Sequence, residues 1–276
     1  MNRPRPDVVL TIAGSDPSGG AGVQADLAAL VTHGTHGATV ITALTVQDTT
    51  GVRSVNPVPA ALVLQQARIV LEDLPVAAVK TGLLPTVEVV QVVADLAGEG
   101  LLPRLVVDPV FRASSGHELA SLPVPAAYAR LLLPHVAVLT PNGVEAGILL
   151  GREAVTTLAE ARWAARELLG LGPRAVLVTG VGDGGDRVDV LADGDGIREF
   201  RSAEVPTGND HGTGCTFTAA LAARLARGED LAGAVGGAKS YVHAALVMAA
   251  EWRLGRGRGP VGHPRCTCPA EEQFQP

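Results

Sequence analysis

Two kinds of apolar pattern alternate along the chain. Short, nearly continuous apolar runs end in glycine, aspartate or proline, and the stretches between them place apolar residues at helical spacing. VVLTIAG (8–14), ATVITALTV (38–46), VAAVKTG (76–82), LVVDP (105–109), VAVLTP (136–141) and AVLVTG (175–180) belong to the first kind. A parallel strand is covered on both faces, so it reads as a continuous apolar run rather than an alternating one. Residues 22–32, 60–72, 86–97 and 157–170 carry helical spacing, and two helices close the chain at roughly 213–227 and 230–250. VDVLAD (188–193) and IREFRSA (197–203) are two shorter strand candidates. This rhythm predicts an α/β fold with a mostly parallel central sheet flanked by helices on both faces. No linker-like composition break or internal repeat is found, so residues 1–262 read as one domain. Residues 263–276 end a Gly/Pro/charge-rich segment and read as a flexible tail.

Composition narrows the function classes. Hydrophobic residues make up 47% of the 276 residues and aromatics 3%, so the core must be built from Ala, Val and Leu. The formal net charge of -6, with no basic run, argues against nucleic acid as a partner. No uncharged apolar run reaches membrane-spanning length, and the first residues lack a signal-like apolar stretch. Three cysteines, two of them at Cys266 and Cys268, do not make a disulfide framework. The expectation is a reduced, cytoplasmic protein without a membrane partner.

Ligands of such sheets collect beyond the carboxyl ends of the strands. The segments there are GSDPSGGAG (14–22), QDTTG (47–51), KTG (80–82), DPV (108–110), PNGVE (141–145) and TGVGDGG (179–185). Their Gly, Asp, Asn and Thr content suits a polar ligand bearing phosphates. The glycines of 14–22 let backbone approach a ligand closely, although a plain strand-to-helix turn would also use some of them. Asp26, inside the following helix, reads as a cap or a solvent-facing residue. A P-loop is excluded because no Gly-Lys pair occurs in the chain. GVGDGG (180–185) matches G-x-G-x-x-G but leads into a strand-like run instead of a helix, which argues against dinucleotide binding. Asn142 and Glu145 fit either of two roles, holding hydrated Mg²⁺ or forming a capping-box variant.

HGTGCT (211–216) is the sharpest feature. Backbone N–H groups at a helix N-terminus attract anions, and small residues leave them exposed. The same field is expected to lower the Cys215 thiol pKa, which would suit a base or nucleophile; a buried structural cysteine is the alternative. HPRCTC (263–268) is too sparse in ligands for a metal site.

Taken together, TIAGSDPSGGAGVQADL (11–27), ITALTVQDTTGV (41–52), KTGLL (80–84), VVDPV (106–110), TPNGVEA (140–146), HGTGCTFTAAL (211–221) and GPVGH (259–263) resemble, in order, the hydroxymethylpyrimidine/phosphomethylpyrimidine kinases of the ribokinase-like superfamily. The resemblance implies a ribokinase-like fold, ATP and Mg²⁺ as cofactors, a small-molecule pyrimidine substrate and a homodimer. It implies that Gly14, Asp26, Gln47, Leu83, Val110 and Cys215 line the pyrimidine pocket. Asp108, Asn142 and Glu145 would lie near Mg²⁺ and the ATP phosphates, with Asp108 and Glu145 at the metal. Gly212, Thr213, Gly214 and Cys215 would form the anion hole, with Cys215 as general base. Two lysines usual in this family are absent: Thr179 and Ser114 stand in their places, and Lys80 and Arg112 are the cations that could compensate. Alternative readings are a pyridoxal kinase of the same branch and a ligand-binding homologue with a sensing role.

Overall fold

The computed structural model describes residues 5–113 and 116–263. The chain starts with β1 (Val8–Ser15), α1 (Gly22–Thr32), β2 (His36–Asp48), β3 (Gly51–Pro57), α2 (Ala60–Asp73), β4 (Val76–Thr81) and α3 (Val87–Gly98). It continues with β5 (Val106–Val107), α4 (Val124–Ala127), β6 (Val138–Leu139), α5 (Gly143–Leu149) and α6 (Leu158–Leu169). It ends with β7 (Val176–Asp183), β8 (Asp186–Asp193), β9 (Gly196–Ala203), α7 (Thr213–Ala226) and α8 (Leu231–Ala249). The strands form one sheet in the order β3-β2-β1-β4-β5-β6-β7-β8-β9. From β2 to β7 all neighbours are parallel, and antiparallel strands extend both edges.

Strand residues alternate between two apolar layers. Leu10 and Ile12 of β1 pack in one layer with Val63, Ala67, Val93, Ala161 and Leu168 from α2, α3 and α6. Val9 packs in the other with Leu30, Ala220, Leu221 and Ala238 from α1, α7 and α8. Small residues let α1, α7 and α8 lie close to the sheet, so an alanine-rich sequence still closes a core. Thr157 caps α6: its hydroxyl accepts the Glu160 N–H at 3.2 Å, and Glu160 accepts the Thr157 N–H at 3.0 Å.

Several elements depart from the apolar pattern. QDTTG is not an open ligand loop alone, because Asp48 pairs with Gly51 and the chain returns as β3. The half-buried GVRSVNP segment lacks a continuous apolar run, since only one of its faces meets protein. The runs at 105–109 and 136–141 shrink to two-residue strands, because Asp108-Pro109 and Thr140-Pro141 turn away to build loops. β7 extends to Asp183 through a register shift between Val178 and Val181, and the glycines 184–185 turn it into β8. That hairpin confirms that GVGDGG does not open a helix. Tyr128–Leu132 continues α4 as a single π-helical turn.

One buried ion pair crosses the layers. Lys80 of β4 donates to both oxygens of Asp26 on α1 at 2.9 Å, and Thr11 of β1 donates to Asp26 at 2.5 Å. Both charged side chains are fully buried. Burial works against the ammonium, but the facing Asp26 carboxylate, together with Cys215 and Asp108, outweighs burial and raises the Lys80 pKa. Lys80→Met leaves an unpaired buried carboxylate and is expected to cost about 3–5 kcal/mol, read as a fall in the urea midpoint. Lys80→Met/Asp26→Leu should recover most of that loss, and a single variant within about 1 kcal/mol of wild type would refute the pair's structural role.

Asp16 gives a second, pH-dependent stability term. Burial raises its pKa, but hydrogen bonds from His211 and Ser18 outweigh it, so the value lies below the ordinary one. The carboxylate's contribution is therefore complete above about pH 4 and is lost as pH falls through the lowered value. The stability gap between wild type and Asp16→Asn should be constant from pH 7 to 5 and narrow towards pH 3. A gap independent of pH would show that the carboxylate charge contributes nothing.

Candidate active site

Loops from the carboxyl ends of β1, β2, β4, β5, β6 and β7 converge with the N-terminus of α7 on one cavity of about 1040 Å³. Gly14, Gln47, Leu83 and Val110 line it, as do Asp108, Asn142, Glu145, Thr179 and the whole of Gly212–Cys215. Asp26 is the exception among the expected site residues. It is neither a cap nor solvent-facing, and its carboxylate lies behind the wall, 0% exposed and held by Lys80 and Thr11. Lys80 is sealed in the same pair, so it presents no open cation to the cavity.

The first and last of these loops touch. Asp16 accepts hydrogen bonds from the Ser18 and Ala21 N–H groups, both at 2.8 Å, and pairs with His211 Nε2 at 2.9 Å. His211 N–H donates to the Gly259 carbonyl at 3.0 Å, so the GPVGH segment is joined to the same knot. Gly212 has φ +81°, and a Cβ there would collide with the Gly20 carbonyl oxygen. Only glycine permits both the left-handed turn and that approach. Thr213 then starts α7, and the first intrahelical bond runs from the Thr216 N–H to the Gly212 carbonyl at 2.9 Å. The N–H groups of Gly214 and Cys215 precede it and point from the helix start, where the helix field favours an anion.

Behind this turn lie buried charges. Cys215 is half-buried beside Asp108. Burial pushes its thiol up to about 12; Lys80 opposes this, and the Asp108 and Asp26 carboxylates reinforce it. The expected thiolate is therefore corrected: desolvation and two carboxylates outweigh the helix terminus, so at neutral pH Cys215 carries its proton. Burial likewise raises Asp108 to about 6, against the pull of Lys80. Glu145 lies well above its ordinary range through burial and then the charge of Asp108.

The capping-box reading of Asn142 and Glu145 is realised. Asn142 Oδ1 accepts from the Val144 and Glu145 N–H groups, both at 3.0 Å, and Glu145 Oε2 accepts the Asn142 N–H at 2.9 Å. This cap also aims Glu145 towards Asp108, whose buried Oδ2 has no hydrogen-bond partner. Two hard carboxylate donors, one with an orphaned oxygen, fit a divalent cation that keeps waters and phosphate oxygens as its other ligands. Among the described residues no group of three His, Cys, Asp or Glu side chains forms a ready-made metal cage.

Other wall residues carried weaker sequence signals. Lys239 and Asp189 form a nearly buried pair at 2.9 Å, and Asp189 also accepts the Gly180 N–H at 2.8 Å. A single lysine inside the apolar, glycine- and alanine-rich α8, and an aspartate inside the apolar VDVLAD, were the available signals. Asp16 and His211 sat inside motifs dominated by glycine. Arg112 lines the cavity and pairs with Glu118 at 3.4 Å. Ser114, Cys266 and Cys268 lie outside the described residues. Among the described residues no helix is long and apolar enough to cross a membrane.

The phosphomethylpyrimidine kinase family matches residues 16–262. The hydroxymethylpyrimidine/phosphomethylpyrimidine kinase of Rhizobium meliloti is 44% identical over 258 residues, covering 93% of this chain and 96% of that protein. The enzyme of that name in Escherichia coli is 40% identical, covering 92% and 96%. A chloroplastic bifunctional thiamine biosynthetic enzyme of Arabidopsis thaliana is 43% identical, and the match spans 49% of its length. Among solved structures, the Staphylococcus aureus pyridoxal kinase in complex with AMP-PCP and pyridoxal superposes with TM-score 0.85 at 32% identity, over 94% of each chain. Phosphomethylpyrimidine kinase from Clostridium difficile superposes with TM-score 0.75 at 34% identity, over 87% of this chain and 99% of that one. A ribokinase-like sheet, a glycine-built turn at the start of α7 and these similarities together place the chain in the phosphomethylpyrimidine kinase family.

Proposed function

We propose that the chain transfers the γ-phosphoryl group of ATP to the hydroxymethyl oxygen of 4-amino-5-hydroxymethyl-2-methylpyrimidine, and then phosphorylates the resulting monophosphate. One observation carries this reading. Sheet order sets Gly14, Gln47, Leu83 and Val110, at the ends of β1, β2, β4 and β5, along one part of the cavity. It sets the polar Asn142, Glu145 and Thr179, at the ends of β6 and β7, along the other, with Cys215 and the α7 turn in the same lining. A flat heteroaromatic alcohol suits the first side and a nucleotide polyphosphate the second. Phosphoryl transfer mainly requires such positioning, with donors aimed at developing charge. The Gly214 and Cys215 N–H groups supply those donors.

Asp108 and Glu145 would hold Mg²⁺, which supplies charge neutralisation on phosphate oxygens when bound. Cys215 rests as a protonated thiol, so it takes the hydroxyl proton only after losing its own. A Mg²⁺ held at Asp108 would favour that loss by offsetting the carboxylate charge that raises the thiol pKa. The monophosphate offers an acceptor already ionised, so this proton path matters less in the second step. A homodimer belongs to the same proposal, supported by the exposed apolar side chains Leu44, Val46 and Ile69 on β2 and α2.

Cys215→Ala should lower kcat for the alcohol by about 100-fold and for the monophosphate by less than about tenfold. Equal losses in the two coupled ADP-release assays would refute the proton path. The same assay run with pyridoxal tests the second reading, which the likeness to the Staphylococcus aureus enzyme favours. A higher kcat/KM for pyridoxal would reassign the acceptor, and no turnover on any acceptor would reject the kinase reading.

A further inference from the structure

A nucleotide polyphosphate needs cations, and this cavity is short of them. Among the described residues six carboxylates line it, at positions 16, 108, 145, 189, 204 and 210, against four Lys or Arg side chains. Those four differ in how firmly they are held. Lys239 is bound to the nearly buried Asp189, and separating a buried pair leaves an uncompensated charge. Arg258 grips Asp210 through both Nε and a terminal nitrogen. Arg112 pairs with Glu118 at 3.4 Å in the segment after β5, two strands from β7 in the sheet.

Arg187 of β8 is held differently. One terminal nitrogen donates to the Gly180 carbonyl at 3.2 Å, and the other pairs with Glu204 at 2.5 Å. Its side chain is 49% exposed and that of Glu204 44%. An exposed pair of this kind contributes little and exchanges partners readily. Its position is the second half of the argument. Gly180 has φ +72° and lies in the register shift of β7, next to Thr179. Thr179 in turn forms a bridge to Asn142, and its N–H donates to the Pro141 carbonyl at 2.9 Å. Arg187 therefore hangs over the Asn142–Thr179 wall. Thr179 brings no charge there, and Asp189 fixes the turn from behind by accepting the Gly180 N–H.

We propose that Arg187 binds the nucleotide polyphosphate and that Glu204 holds its place until a nucleotide enters. Arginine suits this role because its fork of N–H donors matches phosphate oxygens and keeps its charge. The carbonyl of Gly180 anchors one arm, so the other exchanges a carboxylate for a phosphate with little reordering. The inference rests on the nucleotide placement proposed above, and it assigns the positive charge of that wall to β8 instead of β7.

Calorimetric titration with ADP and with a non-hydrolysable ATP analogue tests it without turnover. Arg187→Met should weaken both by roughly tenfold, the loss expected for one charge-assisted contact, while the pyrimidine alcohol binds as in wild type. Arg187→Lys should recover part of the loss. Thr179→Lys placed in the Arg187→Met background should also recover part, because a cation on the neighbouring strand reaches the same phosphates. Glu204→Gln, which frees Arg187 without removing it, should tighten ADP binding and keeps the test decisive if Arg187→Met fails to fold. Arg187→Met binding ADP within twofold of wild type, or Glu204→Gln binding it no tighter, would overturn the inference alone. Wild-type protein that binds no ADP would overturn the nucleotide placement and this inference with it.

Discussion

The contact between Gly20 and Gly212 holds the active end of this molecule together. It joins the loop after the first strand to the loop before the penultimate helix, and neither residue tolerates a side chain there. A Cβ on Gly212 would meet the Gly20 carbonyl, and one on Gly20 would meet the His211 ring. The Asp16–His211 pair, between residues 195 positions apart in sequence, closes the same junction. With it, the N-terminus of α7 faces the cavity, and the GPVGH segment is drawn in through Gly259. At Gly212 repacking side chains gives no relief, since the colliding atom belongs to the main chain; at Gly20 the colliding atom is on the His211 ring, which the pair with Asp16 holds in place.

Beneath the junction, the fold concentrates negative charge where it is costly. Asp108 and Glu145 are almost fully buried and repel each other, and Cys215 stays protonated beside them. The buried cations nearby are already paired, Lys80 with Asp26 and Lys239 with Asp189. That arrangement leaves the site in need of external positive charge, which suits a divalent cation arriving with a polyphosphate. It also explains why a helix terminus, which alone would favour a thiolate, does not produce one here. The dielectric around a group and the charges facing it outweigh a half-charge spread over a helix turn.

Much of this was legible in particular residues. The apolar runs at 8–14, 76–82 and 175–180 are strands because parallel strands need two apolar faces. The Asn142 and Glu145 spacing announced a helix start, and the helix is there. β3 was not legible, because an edge strand needs no continuous apolar run. The π-helical turn at Tyr128 had no signal either, since its apolar residues fit an ordinary helix equally well. Asp26 shows the limit most clearly. Its position after the glycine-rich loop suggested the pocket wall or solvent, yet α1 turns it inward onto Lys80.

The sequence by itself determined the order of the parallel strands and the longer helices, the parallel core of the sheet and the set of loops that carry glycine, aspartate and asparagine. Local spacing decides these, because the periods of strand and helix differ and glycine marks where backbone must turn or approach. Only the tertiary structure decided the ionic partners: Lys80 with Asp26, Asp189 with Lys239, Arg187 with Glu204, His211 with Asp16. A charge interacts through space and its strength depends on burial, so its partner and its protonation follow from packing between distant segments. Neighbours in the chain specify neither.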